Sequence, residues 1–435
     1  MLTKSWYFLW YLVTLQGLKY LMHINVNNRL LESILSLSIL NVLNMALPLL
    51  TLPYIIKVVG MGNYGIYSIV YALIQYVLLF SSYGFNFSVT RQIAQNRDSH
   101  DIVNEIVSTT LCAKAILLIV ASAIFTCIAF FLFSKTHVLM LVLGLGIVIG
   151  DVMNPVWLYQ GMERMKYMTI VNVICKVVFT LLIFICIKHE SDYVKIPLLN
   201  SAGYLFSGLI SLFIACRVFN ISVVVPRFAD VVFQLKEGWY IFLSTVCMEL
   251  YRNSNVFVLG LFSNNTMVGI YAGAEKVIKA AQSVSSPVSN ALFPHLASGF
   301  KNNSISANVY KLKRVALIMC LFLFSIAFGV LIFATPINNI LLAADEPQAI
   351  ELIRIMTPVV LFGGLNYILG IVGLVNLGYQ QYFLKYVFVA GLVSIIFLVV
   401  TVNLWGAFSA SIAMCLSEIT LFACCMLKLS TLSKR

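Results

Sequence analysis

The sequence predicts an all-α integral membrane protein, with about twelve transmembrane helices in two six-helix bundles related as parallel repeats. Three observations carry this expectation. First, 61% of the 435 residues are hydrophobic and only 10% are charged, against about 45–50% and ~25% in soluble domains. That is apolar material for about a dozen spans of ~20 residues each. Second, the apolar residues fall in long continuous runs. Short alternating segments, the mark of a β-barrel, are not the pattern, and helices can satisfy this much backbone in lipid. Third, Gly65-Ile66-Tyr67 recurs 204 residues on as Gly269-Ile270-Tyr271, Ser81-Ser82 recurs as Ser285-Ser286, and Asn86 recurs as Asn290. An offset that covers six spans leaves both halves in the same orientation. This is the parallel repeat that frames alternating-access transporters.

The elements follow in order. Residues 1–29 read as an N-terminal extension. Its stretch 5–15 is apolar and aromatic (Trp6, Tyr7, Phe8, Trp10, Tyr11) but too short to span, and it lacks the small-residue cleavage site of a signal peptide. It reads as an interfacial segment or as translation from an upstream start, since Met22 opens a more ordinary polar lead-in. The N-terminal bundle, 30–219, takes spans near 32–56, 64–90, 106–133, 138–160, 167–188 and 196–219. A cytoplasmic linker, 220–237, leads to the C-terminal bundle, 238–435. Its spans lie near 238–262, 267–294, 313–334, 351–377, 382–402 and 405–427. The connections are too short for a folded domain outside the membrane. Pro48, Pro155, Pro287 and Pro358 are candidate bends, because a membrane helix tolerates proline where neighbours satisfy the freed carbonyls.

The net charge is +12. In a membrane protein such an excess holds the topology, since Lys and Arg gather on cytoplasmic loops; it is no sign of nucleic acid. With both termini cytoplasmic, only Lys57, Lys135, Lys188 and Lys195 fall outside. Arg91, Arg97, Arg164, Lys166, Arg217, Arg227, Lys236, Lys311, Lys313 and Arg314, among others, fall inside.

No enzyme signature stands out. There is no GxxxxGK[ST] and no HExxH, and the five histidines are scattered. The ten cysteines sit in or beside apolar runs without a CxxC pair, so they read as small buried hydrophobes. No catalytic residue, metal site or cofactor is expected. The glycines of 143–150 read as helix-packing glycines.

What stands out is charge inside the spans: Lys114, Asp151, Lys176, Glu249, Arg252, Glu275, Lys276, Lys279, Arg354 and Glu418. Each costs at least a few kcal/mol at mid-bilayer unless it meets a wet cavity or a partner. Lys114, Asp151 and Arg354 lie near span ends and are candidates for snorkelling. Spans seven and eight are richer. Glu249 and Arg252 share a face at i, i+3, and Glu275 and Lys279 at i, i+4. Two readings stay open there, an ion-pair network stapling the helices and the lining of a hydrated cavity. In the second reading Arg252, Lys276 and Lys279 meet an anionic substrate such as a diphosphate. Glu249 and Glu275 balance them or take up a coupling proton. Asn41, Asn44, Asn86, Asn255, Gln282 and Asn290 are the expected polar lining, with few cations in the first half.

The run 47–97, LPLLTLPYIIKVVGMGNYGIYSIVYALIQYVLLFSSYGFNFSVTRQIAQNR, resembles the opening of the Wzx O-antigen flippases, polysaccharide transporters of the MOP superfamily. Its core is Gly60, Tyr64, Gly65 and Tyr67, followed by the run from Tyr83 to Arg91. The stretch 269–297, GIYAGAEKVIKAAQSVSSPVSNALFPHLA, is similar to the family as well. The resemblance implies two six-helix bundles around a central cavity in the bacterial cytoplasmic membrane. It implies a flippase that turns undecaprenyl-diphosphate-linked oligosaccharide units from the cytoplasmic to the outer leaflet, with membrane lipid and the polymerase and chain-length regulator of the same pathway as expected partners. Two alternatives make different demands on the residues. A multidrug antiporter of the related MATE type calls for an acid-lined site, whereas spans seven and eight are net basic. A membrane polysaccharide polymerase calls for a substantial outer loop.

Overall fold

A computed structural model describes residues 28–222, 224–285, 305–342 and 346–433. Side chains are described from residue 43 onward, except 240, 244, 248 and 250–252. The extension 1–27 and the sequence-predicted site residue Asn290 lie outside the described residues, as do the side chains of Asn41 and Arg252.

Among the described residues the chain is helical throughout. The first half holds α1 (Asn28–Ser82), α2 (Phe85–Gln95), α3 (His100–Leu132), α4 (Lys135–Met153), α5 (Val156–Gly161), α6 (Met165–Cys186), a 3-10 turn (Glu190–Val194) and α7 (Lys195–Val218). The second half holds α8 (Phe228–Phe262), α9 (Asn265–Ser283), α10 (Ile305–Ile332), α11 (Ala334–Leu341), α12 (Pro347–Asn366) continued by a π-helical stretch (Tyr367–Val375), α13 (Gln380–Trp405) and α14 (Ala407–Leu432). Nine described helices are long and apolar enough to cross a membrane, and the chain is a multi-pass membrane protein. Side chains such as Ile119, Phe131, Leu321 and Val400 stand exposed around the outside, where lipid would cover them.

The expected count of twelve meets two physical complications. Helix α1 is 55 residues long and carries two spans in one run, bent at Gly60 (φ 80, ψ 160). That backbone region is open to glycine and closed to other residues. The bend therefore falls at Gly60, whereas Pro48 and Pro53 lie inside continuous helix. Helices α8 and α9, in turn, are too polar to count among the nine, apart from the short apolar stretch Asn253–Phe262. Their embedded charges dilute the apolar signal.

Local chemistry fixes the breaks. Tyr83 (φ 46) and Gly84 (φ 74) are left-handed in succession and end α1, so Asn86 lies in the first turn of the separate helix α2 rather than continuing α1. Tyr54 Oη donates to the carbonyls of Phe184 (3.0 Å) and Ile187 (2.6 Å), satisfying carbonyls that the end of α6 leaves open. Asp192 Oδ2 accepts the backbone N–H groups of Lys188 and His189 and ties down the 3-10 turn. Asn264 caps α9 by accepting from the Met267 N–H at 2.8 Å.

Packing joins α4 to α7 and α6 to α7 in the first half, and α13 to α14 and α12 to α14 in the second. The halves meet mainly where α1 crosses α9. A Cβ on Gly65 would collide with the Asn265 carbonyl, and one on Gly269 with the Met61 carbonyl. Only glycine permits so close a backbone approach. Near this crossing Asn63 donates to Glu190 at 3.1 Å. Beyond the end of α1, Tyr83 stacks on Phe242 of α8 with ring centroids 4.4 Å apart, and Gln92 of α2 donates to Glu237 of α8 at 2.7 Å.

Candidate functional site

Two chambers open on the α1–α9 interface. The first, about 470 Å³, is lined by Asn44, Pro48 and Thr51 from one arm of α1 and by Tyr67, Tyr71 and Gln75 from the other. Asp151, Lys176, Asn200 and Tyr204 come from α4, α6 and α7, and Lys276 and Lys279 reach in from α9. The second, about 390 Å³, is lined by Glu249, Asn253, Lys279, Gln282, Asn366, Tyr367, Phe383, Ser417 and Glu418. Both volumes fall in the range of ligand sites, ~300–1,000 Å³. Met45 and Lys279 line both chambers and so mark their junction.

The helix register explains which residues arrive. Tyr64, Tyr67 and Tyr71 lie three and four apart on one face of α1, their rings adjacent at 6.1 and 5.9 Å. Lys276 Nζ lies 5.4 Å over the Tyr64 ring and donates to its hydroxyl at 3.2 Å. This cation of the second half thus enters the first half's chamber, held by a ring face rather than a carboxylate. Lys176 donates to Asn44 Oδ1 and sits 5.2 Å over the Tyr204 ring. Lys279 pairs with Glu275 at 3.1 Å and donates to Asn253 Oδ1 at 3.4 Å. Glu275 is buried and also accepts from Tyr271 Oη at 3.3 Å.

On the second side Glu249 accepts from Asn253 Nδ2 at 2.6 Å. Glu418 accepts from Asn366 Nδ2 at 2.6 Å. The missing Cβ of Gly363 leaves a notch that Gln282 Nε2 fills, with Glu418 Oε1 3.0 Å from the same point. A π-helical stretch begins at Tyr367, directly after Asn366. Such distortions expose carbonyls and are frequent at functional sites. Among the described residues no group of three His, Cys, Asp or Glu side chains could hold a metal ion.

Comparison with known proteins gives the arrangement a family. Residues 30–300 match the family described as "Polysaccharide biosynthesis protein". The chain belongs to this family. Among its relatives is a protein of Escherichia coli (strain K12) described as "Putative O-antigen transporter". It is 27% identical over 391 residues, which cover 89% of this chain and 93% of the relative. A protein of Shigella dysenteriae with the same description is 26% identical over 327 residues, 75% of this chain and 81% of its own. Two solved structures share the fold. The lipid II flippase MurJ in an inward closed conformation aligns with TM-score 0.74 at 11% identity, covering 92% of this chain and 90% of that one. An inward-facing MATE family transporter of the MOP superfamily aligns with TM-score 0.72 at 14% identity, covering 89% and 96%. The MOP-type fold expected from the sequence is therefore present in this polysaccharide biosynthesis family member.

The sequence-predicted site residues divide. Lys276, Lys279, Glu249, Gln282 and Asn44 line the chambers, and Glu275 stands behind Lys279 as its ion-pair partner. Asn255 does not line either chamber. It is buried between α8, α9 and α14, donating to Tyr271 Oη at 3.1 Å and facing the Ala410 carbonyl at 3.4 Å. Asn86 is exposed on α2 and stands apart from both chambers, because the left-handed pair Tyr83–Gly84 ends the span before it.

One further expectation is corrected. Lys114 and Asp151 do not snorkel. Lys114 Nζ, its side chain 3% exposed, pairs with Asp151 at 3.1 Å and also donates to the Asp151 carbonyl. The first half itself supplies one cation to the first chamber, Lys176, while Lys276 and Lys279 reach in from the second half. Sequence reasoning passed over Lys176, Asp151, Asn366 and Glu418 as lining. For three of them the signal was present, a charge inside an apolar run; Asn366 carried none beyond its polar side chain after Gly363-Gly364.

Proposed function

We propose that this chain turns undecaprenyl-diphosphate-linked oligosaccharide units, repeat units of O-antigen or a related surface polysaccharide, from the cytoplasmic to the outer leaflet by alternating access coupled to an ion. One observation carries the proposal. Lys176, Lys276 and Lys279, contributed by both halves, line one chamber at the interface where α1 and α9 cross. Cations in a low-dielectric cavity attract a diphosphate strongly, and each is costly there unless it serves such a ligand or partner. The family match and the relatives named as O-antigen transporters support the same reading.

In this reading the halves 30–219 and 238–435, joined by the cytoplasmic linker 220–237, shift against one another at the Gly65–Gly269 crossing. Both termini are cytoplasmic, and the membrane is the bacterial inner membrane. Lys176 joins Arg252, Lys276 and Lys279 as the diphosphate-binding set. Glu249 and Glu275 balance these cations or exchange the coupling proton. The chain is a transporter and carries out no catalysis.

The test is complementation. A strain that lacks its own flippase, supplied with this protein's native sugar pathway, regains surface polysaccharide on expression of the chain. Failure with the pathway intact would sink the proposal. Resistance to cationic dyes on expression would favour the MATE-type reading in its place.

A further inference from the structure

The two chambers differ in sign. The described side chains of the first are cationic, with Lys176, Lys276 and Lys279 against Asp151. Those of the second carry Glu249 and Glu418, and their one cation, Lys279, is already paired with Glu275. The two amide groups beside these carboxylates have their donors engaged. Asn253 spends its Nδ2 on Glu249. Asn366 spends its Nδ2 on Glu418. The carboxylates of Glu249 and Glu418 line the cavity as acceptors, and a charged acceptor is costly to leave unmet, so a ligand that fits here brings donors. Tyr367 and Phe383 add aromatic rings to the same wall, surfaces on which the apolar face of a pyranose can stack.

Given the proposed flippase activity, on which this step rests, the ligand itself is ordered. The diphosphate is bonded directly to the first sugar, so a diphosphate held by the lysines places that sugar beside them. Lys279 lines both chambers, and the path from the cations leads across it into the acid-lined chamber. We infer that this second chamber is the saccharide subsite and that it selects repeat units of neutral or amino sugars against units bearing uronic acids. Hydroxyl and amino groups donate to Glu249 and Glu418. A sugar carboxylate would face two like charges in a confined space, an arrangement that rejects a partner strongly.

The experiment compares two undecaprenyl-diphosphate disaccharides that differ only in the terminal residue, a hexose in one and the matching hexuronic acid in the other. Each is bound to the full-length protein in nanodiscs. Bare undecaprenyl diphosphate serves as the reference. The neutral lipid binds at least about tenfold more tightly than the uronate, and Glu249→Gln with Glu418→Gln narrows the ratio toward one. The Gln side chains keep shape and hydrogen bonding; should the double variant not accumulate, Glu249→Gln alone gives the same reading. Equal or tighter binding of the uronate overturns the selectivity while leaving the flippase reading intact, and so does a ratio unchanged in the Gln variants. Absence of binding by all three lipids, the bare diphosphate included, overturns the flippase reading and this inference with it.

Discussion

Gly65 and Gly269 face each other where α1 crosses α9, each pressed against the backbone of the other's helix. A Cβ on Gly65 would come 2.9 Å from the Gly269 nitrogen, and one on Gly269 would come 3.1 Å from the Gly65 nitrogen. The carbonyls they would strike belong to Asn265 and Met61, which are separated by the same 204 residues as the glycines. The repeat in the sequence is thus a repeat in space about this crossing. It sets the distance between the halves and hence the width of the chambers alongside.

Substitution at this crossing therefore acts on both halves at once. Gly65→Ala or Gly269→Ala costs about 1–3 kcal/mol through overpacking against rigid backbone, and Leu costs more than Ala at either site. Thermal unfolding of the purified variants reads the order. Equal stability of Gly65→Leu and the parent protein would contradict the close approach.

The cations are predicted to matter for transport rather than for folding. Lys276→Ala and Lys176→Ala each reduce polysaccharide export by about tenfold or more, as loss of one charged contact of ~1.5–3 kcal/mol requires. Their level in the membrane stays near that of the parent. Arg252→Ala behaves alike if its side chain joins the set. Normal export from both lysine variants would return these residues to a packing role.

The Lys114–Asp151 pair makes the opposite prediction. Lys114→Met leaves Asp151 without its buried partner and destabilises the protein by about 3 kcal/mol. The double variant with Asp151→Asn recovers most of that loss, because no unpaired charge remains. The readout is the unfolding temperature of both single variants and the double. Simple additivity would show that the pair does not act as a unit.

Just past the end of α1, Tyr83 stacks nearly parallel on Phe242 of α8, with 13° between their planes, and joins the two halves. Such a pair contributes about 0.5–1.5 kcal/mol beyond its burial. A double-mutant cycle with Tyr83→Leu and Phe242→Leu should show a coupling of that size in stability. No coupling would mean that the rings touch without holding the halves together.

Much of this was legible in the sequence. Apolar runs pointed to the fold class, and the recurrence of Gly-Ile-Tyr pointed to two parallel halves, though not to the crossing at which the two glycines meet. Charge within spans seven and eight pointed to Glu249, Lys276 and Lys279. What escaped the reading depends on three-dimensional neighbours. Lys176 could be placed in a chamber only once α6 was seen against α1 and α7, and Lys114 could be assigned to Asp151 only once α3 and α4 were seen in contact. Asn255 and Asn86 failed for local reasons. Polarity along a helix does not say which face meets the cavity, and two left-handed residues at Tyr83–Gly84 interrupt a run that hydropathy treats as continuous.

The most direct measurement locks the halves at the crossing and watches lipid move. Gly62 lies close to Thr266, with 3.4 Å from a Cβ on Gly62 to the Thr266 hydroxyl, so Gly62→Cys with Thr266→Cys places two thiols within bonding reach. The protein is reconstituted in liposomes with a fluorescent undecaprenyl-diphosphate oligosaccharide, and each single-cysteine variant serves as the control for the ten native cysteines. The expected result is translocation by the parent protein, arrest of the oxidised double variant alone, and recovery on reduction. Absence of translocation by the parent, or undiminished translocation by the cross-linked protein, would contradict a flippase whose halves shift against one another at Gly65 and Gly269.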